Sequence, residues 1–441
     1  MKKALSVILI ALILVSAVFA NGQKETTAPA AEDKPLSGTL KIWSPLSQTP
    51  RAAALEQLGK DFEAANPGVK VEITVMPWSG IQDKILAAIM AGNAPDIAIV
   101  GQGHPQVLAN GLQPMTDLVE YVGGEDAFLG TSLLLGSAED GVCYSMPLYV
   151  TPVVAYYRQS WLDQAGITKL PETWEEYYQM CKAVTDPANN RYGFGVPFGD
   201  QHGTKTVWNF LLANNVELAA KDEKGNWYIT DDADTKARMV EVYEFLYKLV
   251  RDCSPKGIGS YTQTNVRELV SNGTIMSRID TPEIYNTVAK MDKEHMDDVK
   301  YIKVPGNAAE RYYMGWVGWT IPDNAANKDA ANAFLRFCYS EDRLVPFYNS
   351  YPHAMFPAVK SLFENSTYRA NLPEELQPIP DLAVEVLDKS AAITMANGPF
   401  PAAGSVEQST ILGDGVMRMI NDGISAEQAV DEVIAKLKSL L

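Results

Sequence analysis

The sequence is short of the residues that build metal and nucleophilic sites, with four cysteines and four histidines in 441 residues. Cys143, Cys181, Cys253 and Cys338 are widely spaced and form no Cys-x-x-Cys pair, which argues against zinc. Three of them, Cys143, Cys181 and Cys338, sit in apolar surroundings and read as buried free thiols. One or two disulfides are the other reading, and spacing assigns none. His104, His202, His295 and His353 are scattered, so neither a histidine metal site nor a triad is indicated. There is no Gly-x-Ser-x-Gly elbow, no His-Glu-x-x-His and no P-loop. Asp323 to Asp329 suggests a calcium loop only superficially, because the EF-hand glycine and terminal glutamate are missing. It reads as a helix cap. No cofactor and no metal are expected.

Positive charge is also scarce. Thirty-seven Lys and Arg face 54 Asp and Glu, for a net charge of -17. That disfavours nucleic acid and anionic membrane surfaces as partners. It says little about a small anionic ligand, because a local cationic pocket overrides the global field.

Long apolar runs are limited to one, Ala4 to Phe19, preceded by Lys2 and Lys3 and ending in Val18-Phe19-Ala20. This is the pattern of a secretory signal peptide over residues 1–20, cleaved before Asn21. An uncleaved anchor is the alternative, though the run falls short of a comfortable span. No cysteine stands near the junction, so no lipid anchor is expected. Residues 21–37, rich in Thr, Ala, Pro and Glu, read as a flexible linker. The expected location is periplasmic or extracytoplasmic.

The remaining residues exceed what one core usually fills, so two lobes are expected. Gly38–Trp43 alternates as a strand, and a helix with Ala53, Leu55, Leu58 and Phe62 on one face stops at Asn66-Pro67-Gly68. Val69–Val75 alternates again, a helix carries Ile81, Ile85, Ile89 and Met90, and Asp96–Val100 is a short buried strand. Strand–helix–strand–helix–strand is an α/β unit with parallel strands. Ligands bind beyond the carboxyl ends of such strands. That rule selects Trp43-Ser44, Pro77-Trp78 and Gly101-Gln102-Gly103.

Farther on, Met146–Tyr157 reads as a strand interrupted by Pro147 and Pro152, which suits a crossing between lobes better than a central strand. Helices are expected at 161–166, 173–184 (with a Thr173/Glu176 capping box), 234–250, 265–272, 282–291, 326–339, 405–422 and 425–440. Strands are expected at 275–279 and 317–321, and Trp227, after Lys224-Gly225-Asn226, in a hairpin.

This order of signals resembles the bacterial extracellular solute-binding proteins of carbohydrate uptake, the maltose-binding-protein-like group. The pieces that carry the resemblance are Phe62–Val71 (FEAANPGVKV), Ala91–Ile97 (AGNAPDI), Met146–Tyr149 leading to Tyr156–Arg158, Pro171–Glu176 (PETWEE) and Asn272–Met276 (NGTIM). The resemblance implies an α/β, two-lobed periplasmic-binding-protein fold with a ligand cleft between the lobes. Matching positions places the N-lobe at 38–149 and 306–351 and the C-lobe at 150–305 and 352–441. The implied role is capture of a sugar or oligosaccharide for the membrane permease subunits of an ABC importer, by a non-enzymatic monomer. Two departures stand out. Asp280-Thr281-Pro282-Glu283 occupies a stretch where many relatives have Trp, and Gln102-Gly103 stands where Asp is common. The ligand is therefore expected to differ from maltose.

Sugar recognition needs aromatic faces for C–H surfaces and planar polar groups for hydroxyls. Trp43, Trp78, Tyr149 and Trp316 are the aromatic candidates, each with core packing as its alternative. Ser44, Gln102, Thr151, Asp280, Glu283 and Glu407 are the polar ones. For Glu283 and Glu407 the plain alternative is a solvated surface carboxylate, and for Asp280 a helix cap. His353, in Tyr351-Pro352-His353, is expected either to contact ligand or to fill a hinge, and Arg278 to pair with Asp280 or with a ligand carboxylate. Few basic residues stand at the strand ends, so a neutral carbohydrate leads. A polyamine, a glycerol phosphate or another small solute on the same fold is the nearer rival, and an exported glycoside hydrolase, needing two facing carboxylates, the more distant one.

Overall fold

The computed structural model describes residues 35–441 apart from Ser79 and Ala396, so the expected signal peptide and all but the end of the expected linker lie outside the described residues. The first sheet is built from β1 (Gly38–Ser44), β2 (Val69–Val75), β3 (Ile97–Gly101), β4 (Met146–Pro152) and β11 (Met314–Thr320). Its order is β2-β1-β3-β11-β4, with β1 parallel to β2 and β3, and β11 antiparallel to β3 and β4. The second sheet orders β10 (Val299–Ile302), β5 (Val154–Arg158), β9 (Ile275–Asp280) and β6 (Tyr192–Phe194). A hairpin of β7 (Ala219–Lys221) and β8 (Trp227–Ile229) holds Trp227, as its turn residues require.

Alternation puts Leu40 and Ile42 of β1 wholly inside. The helix Thr49–Ala65 buries Arg51, Leu55, Leu58 and Phe62, spaced four, three and four apart. Ala53, expected on that stripe, is exposed, and Arg51 takes the buried place. The helix ends where Asn66 Nδ2 donates to the Phe62 carbonyl at 3.1 Å. The Thr173/Glu176 capping box forms in both directions, at 3.3 and 3.2 Å.

Met146–Tyr157 is two strands rather than one. β4 ends at Pro152 and β5 begins at Val154, so the chain passes from the first sheet to the second through Val153. Pro147 and Pro152 both lie in β4, an edge strand of the first sheet, where a missing N–H breaks no interior ladder. The connection from β10 to β11 returns the chain to the first sheet, and Phe356 then exchanges both backbone hydrogen bonds with Val150. Residues 360–370, expected with the second lobe, pack on the first-lobe helix Glu341–Ser350: Tyr368 lies edge-on to Tyr348, and Asn365 Nδ2 donates to Glu341 at 3.0 Å.

Among the described residues, three helices of ten residues or more escaped the periodicity reading, His202–Ala213, Glu341–Ser350 and Ile379–Asp388, as did shorter ones such as Thr116–Val122. The first is buried nearly all round, which erases the polar face that reveals a helix. The expected 405–422 helix is two, Ala403–Glu407 and Ile411–Asp422. All four cysteines are buried and free, and burial pushes the Cys143 and Cys253 thiols up to about 12. No helix among the described residues is long and apolar enough to cross a membrane.

Backbone of the two lobes comes into close contact at a pair of glycines. Gly103, at φ +80°, precedes the first-lobe helix His104–Leu108 and lies against Gly404 of Ala403–Glu407. A Cβ on Gly404 would stand 2.8 Å from the Gly103 carbonyl oxygen, closer than side chains tolerate.

Candidate ligand cleft

Between the two sheets lies a cavity of about 380 Å³. On the first-lobe side its wall comes from strand ends and the segments that follow them. Trp78 follows β2 and packs over Gly101 at the end of β3. Gln102 comes next, Tyr149 and Thr151 belong to β4, and Trp316 belongs to β11. Gln102 is 2% exposed, and neither its amide oxygen nor its amide nitrogen has a partner among the described residues. A buried amide left unmatched costs about 1–3 kcal/mol, so this one is poised for a group that both donates and accepts. Trp316 is almost fully buried, donates from Nε1 to the Ser132 carbonyl at 2.8 Å, and offers the cavity part of its ring as a fixed wall.

The second-lobe wall draws on the N-terminal halves of two helices and on the segment after β9. Gln201, His202 and Lys205 open the helix His202–Ala213, and Gln263, Thr264 and Arg267 open Gln263–Ser271. Thr281 and Glu283 follow β9, and Glu407 ends a short helix. These side chains are ion-paired. Arg267 grips both oxygens of Asp280, at 2.7 and 3.0 Å, and donates to Glu283 at 3.1 Å. Arg278 adds a 3.0 Å pair to Asp280. Burial pushes the Asp280 carboxyl up, but Arg267 and Arg278 outweigh it and hold the group far below the usual range. Glu283 is likewise lowered, by Arg267 and Arg51 against burial. Lys205 pairs with Glu407 at 3.0 Å, and burial there wins, leaving Glu407 raised.

Glu283 also ties the walls together. Arg51, from the first-lobe helix, reaches it at 3.5 Å, donates to the Tyr149 hydroxyl at 3.1 Å and lies 4.7 Å above the Tyr351 ring. The Tyr351 hydroxyl donates to the same carboxylate at 3.2 Å. A cleft of this kind can seat a polar ring between an aromatic, amide-bearing wall and an ion-paired one. No cluster of metal-ligating side chains occurs among the described residues.

The family model for bacterial extracellular solute-binding proteins matches residues 47–343. The chain belongs to that family. This solute-binding protein is 27% identical over 357 residues to the diacetylchitobiose binding protein DasA of Streptomyces coelicolor, covering 77% of this chain and 78% of the relative. It superposes on the ABC transporter solute-binding protein of Thermotoga lettingae bound with α-D-tagatose with a TM-score of 0.74 at 20% identity, over 92% of this chain and 100% of that one. For the GacH receptor of Streptomyces glaucescens the TM-score is 0.75 at 18% identity, over 92% and 99% of the chains. The fold is thus the two-lobed one expected.

Of the residues singled out in the sequence, Trp78, Gln102, Tyr149, Thr151, Glu283, Trp316 and Glu407 line the cavity of this solute-binding protein. Trp43, Ser44, Asp280 and His353 do not. Trp43 sits mid-register between Thr74 and Ala98. Ser44 ends β1, and its Oγ accepts from the Leu46 N–H at 3.1 Å. Asp280 caps no helix; it holds Arg267 in place from beneath the wall. His353 Nε2 donates to the Glu375 carboxylate at 3.0 Å, beside Tyr285, and fills space near a crossing. Thr151 lines the cavity, but its hydroxyl is committed to the Ala354 carbonyl at 2.7 Å. Arg51, Lys205 and Arg267 went unselected. Arg51 carried a signal, a charge in register with a buried stripe. The other two sit in the N-terminal halves of helices, which the strand-end rule does not reach.

Proposed function

We propose that this solute-binding protein captures a carbohydrate between its lobes and presents it to the permease subunits of an ABC importer. The observation that carries the reading is the Gln102 amide, buried and unmatched beside Trp78 and Trp316. An amide offers a donor and an acceptor in one plane, the complement of a sugar hydroxyl, and the indoles suit the C–H faces of a ring. The cavity holds about a dozen waters' worth of space at roughly 30 Å³ each, the scale of one or two sugar rings. Relatives named for sugars and sugar alcohols, including a mannitol-binding protein of Pseudomonas aeruginosa, support the same class. A polyamine loses its footing, because Asp280 and Glu283 are both engaged by Arg267.

The same reading holds that the protein is exported by cleavage after residue 20, acts as a monomer and releases its ligand unchanged. It takes the first lobe as 38–152 with 314–370 and the second as the intervening residues and the C-terminal helices. The test is thermal unfolding of the purified protein against mono- and oligosaccharides, polyamines and glycerol phosphates, because a ligand bound only by the native state raises the unfolding temperature. A shift with a sugar class, with no product by mass spectrometry, is expected. Shifts confined to polyamines or phosphates would remove the carbohydrate assignment. N-terminal sequencing of the exported protein checks the cleavage.

A further inference from the structure

Beside the main cavity, and sharing His202, Lys205, Gln263, Thr281 and Tyr313 with it, lies a side chamber of about 40 Å³. At roughly 30 Å³ per water, it holds one or two water-sized groups, enough for the oxygens of a carboxylate whose carbon sits at its mouth and too small for a ring.

Arg278 lines this chamber with its side chain 1% exposed. Its Nη2 is paired to Asp280 at 3.0 Å and its Nη1 donates to the Gln263 carbonyl at 3.3 Å, while Nε has no partner among the described residues. A buried guanidinium that is only partly matched is costly and favours any further acceptor. The one carboxylate lining the chamber, Asp280, is already shared between Arg278 and Arg267. Around the two spaces together, Arg51, Lys205, Arg267 and Arg278 outnumber Asp280, Glu283 and Glu407 by one. The excess is positive in a chain whose net charge is -17. The helices His202–Ala213 and Gln263–Ser271 also bring their first turns, and so the positive ends of their dipoles, to the chamber through His202, Lys205 and Gln263.

We propose that the solute is an acidic carbohydrate, with its ring in the main cavity and its carboxylate in the side chamber against Arg278 and Lys205. The proposal rests on the carbohydrate reading above and narrows it. Lys205, paired with Glu407 at 3.0 Å, lines both spaces, so its ammonium can be shared between Glu407 and a ligand carboxylate. The recognition is charge-assisted, and bidentate where the guanidinium fork meets both oxygens.

Calorimetric titration of the purified protein with glucuronate, galacturonate, glucose and galactose, at matched ionic strength, tests it. A uronate is expected to bind about tenfold or more tighter than its neutral counterpart, a difference of about 1.4 kcal/mol. Lys205→Gln is expected to erase about tenfold of that preference, with some loss of thermal stability as buried Glu407 loses its partner, and Arg278→Lys, which keeps the charge but loses the fork, to weaken the preference less. Equal or tighter binding of the neutral sugars overturns the acidic assignment and leaves the carbohydrate reading standing. Uronate binding indifferent to both variants overturns the side chamber as the carboxylate site. Affinity for a non-sugar solute alone overturns the proposal and the carbohydrate reading together.

Discussion

The two walls of the cleft are built by different rules. The first-lobe wall draws on parallel and antiparallel strands and on the segments that follow β2 and β3, and apart from Arg51 its ligand-facing groups are aromatic rings, amides and hydroxyls. The second-lobe wall draws mainly on the N-terminal halves of helices, and its charged side chains come in ion pairs: Arg267 with Asp280 and Glu283, Lys205 with Glu407. A neutral wall is shaped by packing and a charged wall by mutual compensation. The first should therefore respond to lost volume and the second to lost partners.

The largest effect that distinguishes them is expected on the neutral side. Trp316→Ala removes an indole that is nearly fully buried, and by analogy with buried Trp truncations about 3–5 kcal/mol of unfolding free energy should go with it. Chemical denaturation measures this; a loss of affinity with stability intact would show instead that the ring serves ligand alone. On the charged side, Arg267→Ala strands a buried carboxylate and a half-buried one, which on the scale of breaking a buried pair costs about 3 kcal/mol or somewhat more. Arg278 still contacts Asp280. A loss well under 1 kcal/mol would mean that Arg278 alone holds that wall.

Acid should act on the second wall first. The folded-state pKa values of Asp280 and Glu283 are depressed, so their stabilisation is present above the unfolded carboxylate value near about 4 and is lost as pH falls below it toward the folded values. Asp280→Asn should flatten the acid limb of a stability–pH curve, and an unchanged limb would shift the dependence to other carboxylates. A smaller and opposite-signed pair of effects is expected at Gln102. Gln102→Leu relieves an unmatched amide, so stability holds or rises by about 1 kcal/mol, while ligand affinity falls. Both quantities falling together would assign that amide to the fold. Thr151→Val, which deletes the bond to Ala354, should cost about 1 kcal/mol and leave the ligand's contacts in place.

The difference between the walls also explains what the sequence discloses. β1, β2 and β3 alternate with amphipathic helices, so their ends, and with them Trp78 and Gln102, are found by pattern alone. Tyr149, Thr151 and Trp316 follow from strands that read clearly. The helix His202–Ala213 has no polar face to betray it, and so Gln201, His202 and Lys205 at its start stay invisible. Arg267 lies on a helix that was expected, but nothing in one dimension says that its guanidinium turns to Asp280, thirteen residues on, rather than to solvent. The packing of 360–370 on the helix Glu341–Ser350 is hidden for a related reason. Tyr348 and Tyr368 meet only through tertiary packing, and that stretch has no strand of its own to declare a sheet.

The contact between Gly103 and Gly404 is made by backbone and involves no charge, yet it bears on affinity. A single methyl at position 404 would act as a shim between the lobes. It would hold them apart by a few tenths of an ångström or more without altering one ligand-facing atom. Apparent affinity scales with the fraction of molecules able to shut, so the same pocket with a thicker shim becomes a weaker trap that lets its cargo go sooner. Retention time is in this sense a property of the jamb rather than of the lock, and small-angle scattering of Gly404→Ala, with and without ligand, would read it directly.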